Sequence, residues 1–172
     1  PETKISVVPL GLPEAFRKSA AAPRSVPAEP PYFLVVGATS PRKRLLLIAQ
    51  AVKLLRDRGT RLPRIVCAGR KPWREDGTQA FVRSHGLDGQ FVQTGYLDTD
   101  GLIAAYRGAR ALLYPSACEG FGLPVLEAMA LGVPAVVARG TACEETGGGH
   151  AITFARDSVE ELAAVMKRLM AG

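Results

Sequence analysis

A glycine-containing loop between an apolar strand and an apolar helix constrains the fold more than any other feature of this chain. Residues 111–114 are an apolar run typical of a buried strand, and residues 115–130 continue with PSACEGFGLPVLEAMA. Pro124 stands in the first turn of the predicted helix, where its missing N–H is tolerated. Two carboxylates belong to this unit, Glu119 in the loop and Glu127 inside the helix.

The loop is suited to a phosphate with hydroxyl groups beside it. Glycine lets backbone amides approach a ligand closely, and a helix N-terminus presents unsatisfied N–H groups. A carboxylate repels phosphate, but it accepts strong hydrogen bonds from hydroxyl groups. Because one carboxylate precedes the helix and the other lies inside it, the pattern predicts a ligand with a central phosphate and hydroxyl groups on both sides. A nucleotide sugar has that shape.

Strand and helix patterns alternate along the rest of the chain. The further strand candidates are residues 32–37, 64–69, 90–96, 134–138 and 151–154. Apolar residues at helical spacing follow the first of these over residues 40–57, and the capping box Ser158-x-x-Glu161 opens a last helix. The alternation predicts an α/β fold, a Rossmann-like, doubly wound parallel sheet, with ligands beyond the carboxyl ends of its strands. We expect this domain over residues 31–172, preceded by an incoming segment and loop over residues 1–30.

Composition excludes several classes of protein. The longest apolar runs are strand-sized, which is too short to span a membrane. The 3 cysteines are widely spaced and predict neither a disulfide framework nor a zinc site, as expected for a reducing cytoplasm. The net charge of +6 suits nucleic acid, an anionic membrane or an anionic small ligand, but no aromatic residues interleave the basic groups, which disfavours nucleic acid. The chain begins at Pro1 without a Met, so we expect a piece of a longer protein.

Seven residues separate Glu119 from Glu127, which is an E-x7-E spacing, and the sequence segments around it are EGFGLPVLEAMA and GVPAVVA. This region resembles the donor-binding domain of retaining group 1 glycosyltransferases. The resemblance runs from about Val7 to the C-terminus and implies the C-terminal half of a GT-B fold. It implies transfer of a hexosyl group from a nucleotide sugar to an acceptor, with retention of configuration, in glycan or polysaccharide biosynthesis. The implied partners are the nucleotide sugar and a missing N-terminal acceptor domain, without which the chain is expected to be inactive. No metal or other cofactor is implied.

The resemblance also assigns roles to individual residues. It implies that Glu119 faces the donor sugar, that Glu127 holds the ribose hydroxyls, and that Arg42 and Lys43 stabilise the leaving diphosphate. The two cations open a predicted helix, where they oppose its dipole; taken alone they would be solvated surface charges, but together with the glutamate-containing loop they favour a bound anion. The other implied donor-binding residues are Gly37, Ala38, Arg70, Tyr96, Leu97, Gly120, Phe121, Gly122 and Leu123. Many family members have Arg where this chain has Ala38. This implies either weaker binding of the diphosphate or that Arg42 compensates for the missing arginine.

Several alternatives stay open at this point. A nucleotide-binding module without transfer activity, or a sugar-nucleotide epimerase on the same fold, would use similar residues. Asp98-x-Asp100 has the form of a metal-binding D-x-D motif, but it precedes a helix, so we predict that it caps that helix. Family members often act on lipid-linked acceptors, which leaves open a peripheral location at the inner face of a membrane. Sugar, nucleotide, acceptor and oligomeric state are not predicted.

Overall fold

Six parallel strands form one sheet at the centre of the molecule. The computed structural model describes residues 8, 10–21, 31–37, 41–61, 64–69 and 77–171. The strands are β1 (Tyr32–Val36), β2 (Arg64–Ala68), β3 (Phe91–Gly95), β4 (Ala111–Tyr114), β5 (Ala135–Ala138) and β6 (Ile152–Phe154). Their order is β3-β2-β1-β4-β5-β6, which confirms the predicted doubly wound sheet. The strand order reverses between β1 and β4, and this switch point is where sheets of this kind bind ligands.

Helices cover both faces of the sheet. They are α1 (Glu14–Ala20), α2 (Leu45–Asp57), α3 (Thr78–Ser84), α4 (Thr99–Gly108), α5 (Leu123–Ala130), α6 (Ala142–Thr146) and α7 (Val159–Ala171). Helices α2, α3 and α7 share one apolar core with the sheet, and α1, α4, α5 and α6 share the other. This is the layered arrangement that alternating strands and helices predict.

Successive residues of each strand supply the two cores in turn. In β1, Phe33 and Val35 join the core under α2 and α7, while Leu34 and Val36 join the core under α4 and α5. The central strands β4 and β5 are buried along their whole length, whereas β3 at the edge alternates between exposed and half-buried residues. A central parallel strand is covered on both faces, so it appears as an unbroken apolar run in the sequence.

Two local features differ from the predicted pattern. The helix predicted over residues 40–57 is interrupted, because a 3-10 turn over Pro41–Lys43 is separated from α2 by Arg44 in the left-handed conformation, with φ +54°, and Ser40 lies outside the described residues. The Arg44 guanidinium forms an ion pair, at 2.6 Å, with Asp157, which lies outside residues 40–57. In addition, α1 lies within the segment expected to lead into the domain, and its Phe16 is 3% exposed in the core beside α4 and α5.

Candidate functional site

The loops that follow β1 and β4 meet at the carboxyl edge of the sheet. β1 and β4 pair directly, so the residues after Val36 and after Tyr114 emerge side by side. The backbone carbonyl of Arg42 accepts hydrogen bonds from the Ala117 amide at 2.8 Å and from the Ser116 hydroxyl at 3.2 Å. These bonds fix the basic turn of residues 41–43 against the start of the glycine-containing loop.

Glu119 lies at the centre of a group of cations. Its carboxylate is 2.6 Å from the Lys43 ammonium and 3.0 Å from the Arg42 guanidinium, and it accepts the Ser116 hydroxyl at 2.6 Å. The Glu119 side chain is only 11% exposed. Burial of the carboxyl opposes its ionisation, but the hydrogen bonds from Lys43 and Ser116 and the charges of Lys43 and Arg42 outweigh that effect. The pKa of Glu119 is therefore below its usual value.

The Lys43 side chain fills a narrow slot and is 9% exposed. Its ammonium donates to the Tyr114 hydroxyl and lies 4.3 Å from the centre of the Tyr114 ring. A Cβ atom at Gly37 would lie 3.3 Å from the Lys43 Cε atom, so a glycine here lets the lysine pass close to the end of β1. Gly37 also has φ +109°, which a residue with a side chain rarely adopts.

Glu127 occupies a different environment, inside α5. The Tyr106 hydroxyl, from α4, donates to the Glu127 carboxylate at 2.8 Å. Burial raises the pKa of Glu127, and the hydrogen bond from Tyr106 offsets only part of that effect. Burial and the neighbouring Glu127 charge raise the pKa of Tyr106 well above its usual range, so the phenol stays neutral. Within the described part of the chain, Glu127 is thus held by a neutral hydroxyl group and not by a cation.

The glycine-containing loop begins α5 in the predicted way. Gly122 is the N-cap of the helix at φ +96°, and Pro124 lies in the first turn. A Cβ atom at Gly122 would lie 2.9 Å from the Cys143 sulfur, so a larger residue would push α6 away. Beside the loop is a cavity of about 780 Å³ that Gly120, Phe121 and Leu126 line together with residues of α6.

The structure brings some of the predicted site residues together and separates others. Gly37, Arg42, Lys43 and Glu119 form one cluster, and Gly120, Phe121, Gly122 and Leu123 connect it along the chain to Glu127. Tyr96 and Leu97 follow β3, with Tyr96 70% exposed and Leu97 half-buried. Ala38 and Arg70 lie outside the described residues. The donor-binding roles of all these residues remain predictions.

Three hydroxyl groups of the site were not predicted from the sequence. Ser116, Tyr114 and Tyr106 each donate to or accept from a charged group of the site. The signal that could have indicated Tyr114 and Tyr106 is a tyrosine at a fully buried position of a strand or helix, because a buried phenol needs a hydrogen-bond partner.

The D-x-D sequence serves as a helix cap. The Asp98 carboxylate accepts the Gly101 amide at 2.8 Å at the start of α4, which confirms the predicted capping role. Within the part of the chain that the structure describes, no three His, Cys, Asp or Glu side chains are grouped to hold a metal ion. None of the described helices is long and apolar enough to cross a membrane.

A Rossmann-like sheet with a cationic cluster beside a glycine-containing loop at its switch point defines an α/β domain suited to a phosphate-containing ligand. The chain belongs to the group 1 glycosyltransferases, because the model of the family "Glycosyl transferases group 1" matches residues 30–172. This confirms membership of the group 1 glycosyltransferase family, which the sequence around residues 119–127 resembles.

Individual relatives and solved structures agree with this assignment. The O-antigen chain mannosyltransferase B of Escherichia coli is 34% identical over 134 residues, which cover 77% of this chain and 35% of that protein. The fold matches a glycosyltransferase from Rickettsia africae with a TM-score of 0.82 at 16% identity, over 99% of this chain and 48% of the other. It matches Anabaena HepE, solved with UDP and glucose, with a TM-score of 0.66 at 19% identity, over 80% of this chain and 38% of the other. The chain thus spans about a third of the length of the curated relative.

Proposed function

We propose that this chain is the donor-binding half of a retaining hexosyltransferase that acts in glycan or polysaccharide biosynthesis. The observation that carries the proposal is the meeting of Arg42 and Lys43 with Glu119 at the switch point, with the N-terminus of α5 beside them. An O-antigen mannosyltransferase among the relatives and the UDP in the HepE structure support a nucleotide-sugar donor. Retention rests on the E-x7-E resemblance alone.

The two cations are proposed to bind the diphosphate of the donor. During transfer, the bond from the anomeric carbon to the diphosphate oxygen breaks, and the electron pair stays on the diphosphate. Lys43 and Arg42 would stabilise this developing charge, since fixed donors in a shielded site act most strongly where charge forms. Lys43 is already held in place by Tyr114 and Glu119, which limits the reorganisation needed when the donor binds.

The two carboxylates are proposed to bind hydroxyl groups at opposite ends of the diphosphate. Glu127 would accept the ribose hydroxyls, because its hydrogen-bond partner Tyr106 is neutral and no cation among the described residues pairs with it to attract phosphate. Once the diphosphate pairs with Arg42 and Lys43 in place of Glu119, the Glu119 carboxylate would turn toward the hexosyl group. The cavity beside Gly120 and Phe121 offers space for that group.

Transfer itself would need a second domain. Proximity and orientation contribute roughly 7–11 kcal/mol to a group transfer in favourable cases, and this half alone positions only the donor. We propose a cytoplasmic enzyme, with peripheral membrane attachment as an alternative for the full-length protein, and no requirement for a metal ion.

The test is titration calorimetry of this chain with a panel of nucleoside diphosphates, each measured with and without EDTA. We expect at least one of them to bind, with an affinity that EDTA does not change. Its 2′,3′-dideoxy analogue should bind about tenfold more weakly, because it lacks the hydroxyl groups that hydrogen-bond a charged carboxylate.

The variant Glu127→Gln keeps an oxygen for Tyr106 but removes the charge. It should bind the ribose and dideoxy forms about equally, whereas the control Glu160→Gln, at an exposed position of α7, should behave as the parent chain. Absence of any nucleoside diphosphate binding, or binding only with added metal, would refute the proposal.

A further inference from the structure

Tyr114 is the last residue of β4 and lies beneath the cationic cluster. It is 2% exposed, and its ring belongs to the apolar core under α4 and α5. Its hydroxyl group accepts a hydrogen bond from the Lys43 ammonium at the carboxyl edge of the sheet. The ammonium also lies 4.3 Å from the ring centre, close enough for a cation–π interaction.

Packing alone does not require a tyrosine here. Leu112 faces the same core from two residues earlier on β4 and fills it with an aliphatic side chain. An aliphatic residue at position 114 would satisfy the same core but would offer no acceptor to the lysine. A charge that is 9% exposed needs fixed partners, since withdrawing it from water is costly.

The two partners of Lys43 differ in what happens when a donor binds. The Glu119 carboxylate is an anion, so a diphosphate competes with it directly for the ammonium. The Tyr114 hydroxyl is neutral and fixed to a strand, so nothing in the ligand displaces it. Burial first, and the Glu119 carboxylate second, raise the pKa of Tyr114 and keep the phenol protonated.

We propose that Tyr114 is a positioning residue for Lys43. The Tyr114 hydroxyl holds the Lys43 ammonium in its position beside Gly37 while the diphosphate of the donor replaces Glu119 as the partner of that ammonium. This inference rests on the proposed function, because it requires a diphosphate ligand at Lys43. In this proposal Tyr114 acts through the lysine and not through a contact of its own with the ligand.

The test compares the affinity of Tyr114→Phe for the best-binding nucleoside diphosphate with its affinity for the corresponding monophosphate, by calorimetry. The diphosphate affinity should fall about three- to tenfold, the usual range for one net hydrogen bond, and the monophosphate affinity less than about twofold. A purely structural defect would lower both affinities to the same extent. The control is Tyr32→Phe, which removes a hydroxyl group bonded to the Ala105 carbonyl at 2.6 Å elsewhere in the sheet and should change neither affinity.

A double-mutant cycle gives a second readout. In the Lys43→Met background, Tyr114→Phe should cause no further loss of diphosphate affinity, because its target is already gone. Equal losses for both nucleotides, no loss at all, or a full additional loss in the double mutant would overturn the inference while leaving the proposed function intact. Failure of the parent chain to bind any nucleoside diphosphate would instead remove the proposed function, and this inference with it.

Discussion

Glu119 and Glu127 belong to one loop-and-helix unit, yet the fold gives them opposite environments. Glu119 is surrounded by Lys43, Arg42 and a serine hydroxyl, and its pKa is lowered. Glu127 accepts a hydrogen bond from the neutral phenol of Tyr106, and burial raises its pKa. Both are glutamates with seven residues between them, so the difference comes entirely from what packs against each carboxyl.

This difference indicates how one motif can bind two kinds of chemical group. The cations around Glu119 already hold an anion, so they are placed to exchange it for phosphate oxygens. Among the described residues no cation pairs with Glu127 to attract a phosphate, whereas a hydroxyl group could donate to the carboxylate as Tyr106 does. In the proposed function, the environment of each carboxylate therefore corresponds to a different part of a nucleotide sugar.

The largest expected effect comes from removing the buried cation of the Glu119 cluster. Lys43→Met should lower nucleoside diphosphate affinity about 10- to 100-fold, because a hydrogen bond to a charged group contributes about 1.5–3 kcal/mol. Calorimetry measures the affinity, and thermal unfolding verifies that the variant is folded.

The matched control for that variant is Lys53→Met. It removes an identical charge from α2, where Lys53 pairs with Asp57 on the surface, and it should leave the affinity unchanged. If the two variants weakened binding equally, the effect would be one of overall charge, and the special position of Lys43 would be disproved.

A smaller effect, on stability, should have opposite signs at the two carboxylates. Because the folded pKa of Glu119 lies below its unfolded value, its ionisation stabilises the fold at neutral pH, and this contribution is lost as the pH falls through the folded pKa. The raised pKa of Glu127 has the reverse consequence, so its ionisation costs stability above that pKa.

Urea unfolding of the two Glu→Gln variants measures this difference. At pH 7, Glu119→Gln should be less stable than the parent chain by about 1–3 kcal/mol, since two cations lose their anion. Glu127→Gln should be equally stable or slightly more stable. The deficit of Glu119→Gln should shrink in acid, and a deficit of similar size in both variants would show that the two environments do not differ as described.

The sheet and the meeting of the basic turn with Glu119 could be predicted from the sequence. Buried parallel strands are short apolar runs, and the carboxyl ends of such strands share one edge, so loops far apart in the chain converge there. The capping of α4 by Asp98 was predictable for a different reason, because it depends only on neighbouring residues.

Other features depend on contacts that the local pattern does not contain. Helix α1 is 7 residues long and buries only Phe16 fully, which is too little to give a periodic signal. The guanidinium of the left-handed Arg44 forms an ion pair with Asp157, far along the chain. The hydrogen bonds of Tyr106 and Tyr114 require the orientation of α4 and the register of β4 relative to the loops.

NMR titration of the side-chain carboxyl carbons of Glu119 and Glu127, without and with a saturating nucleoside diphosphate, tests the central claim most directly. In the free chain, Glu119 should titrate below and Glu127 above the ordinary glutamate value of about 4.3. The nucleotide should raise the pKa of Glu119, because the diphosphate competes for its cations, and lower the pKa of Glu127, because ribose hydroxyls donate to its carboxylate. A reversed order in the free chain, or two carboxyls that do not respond to bound nucleotide, would contradict the account.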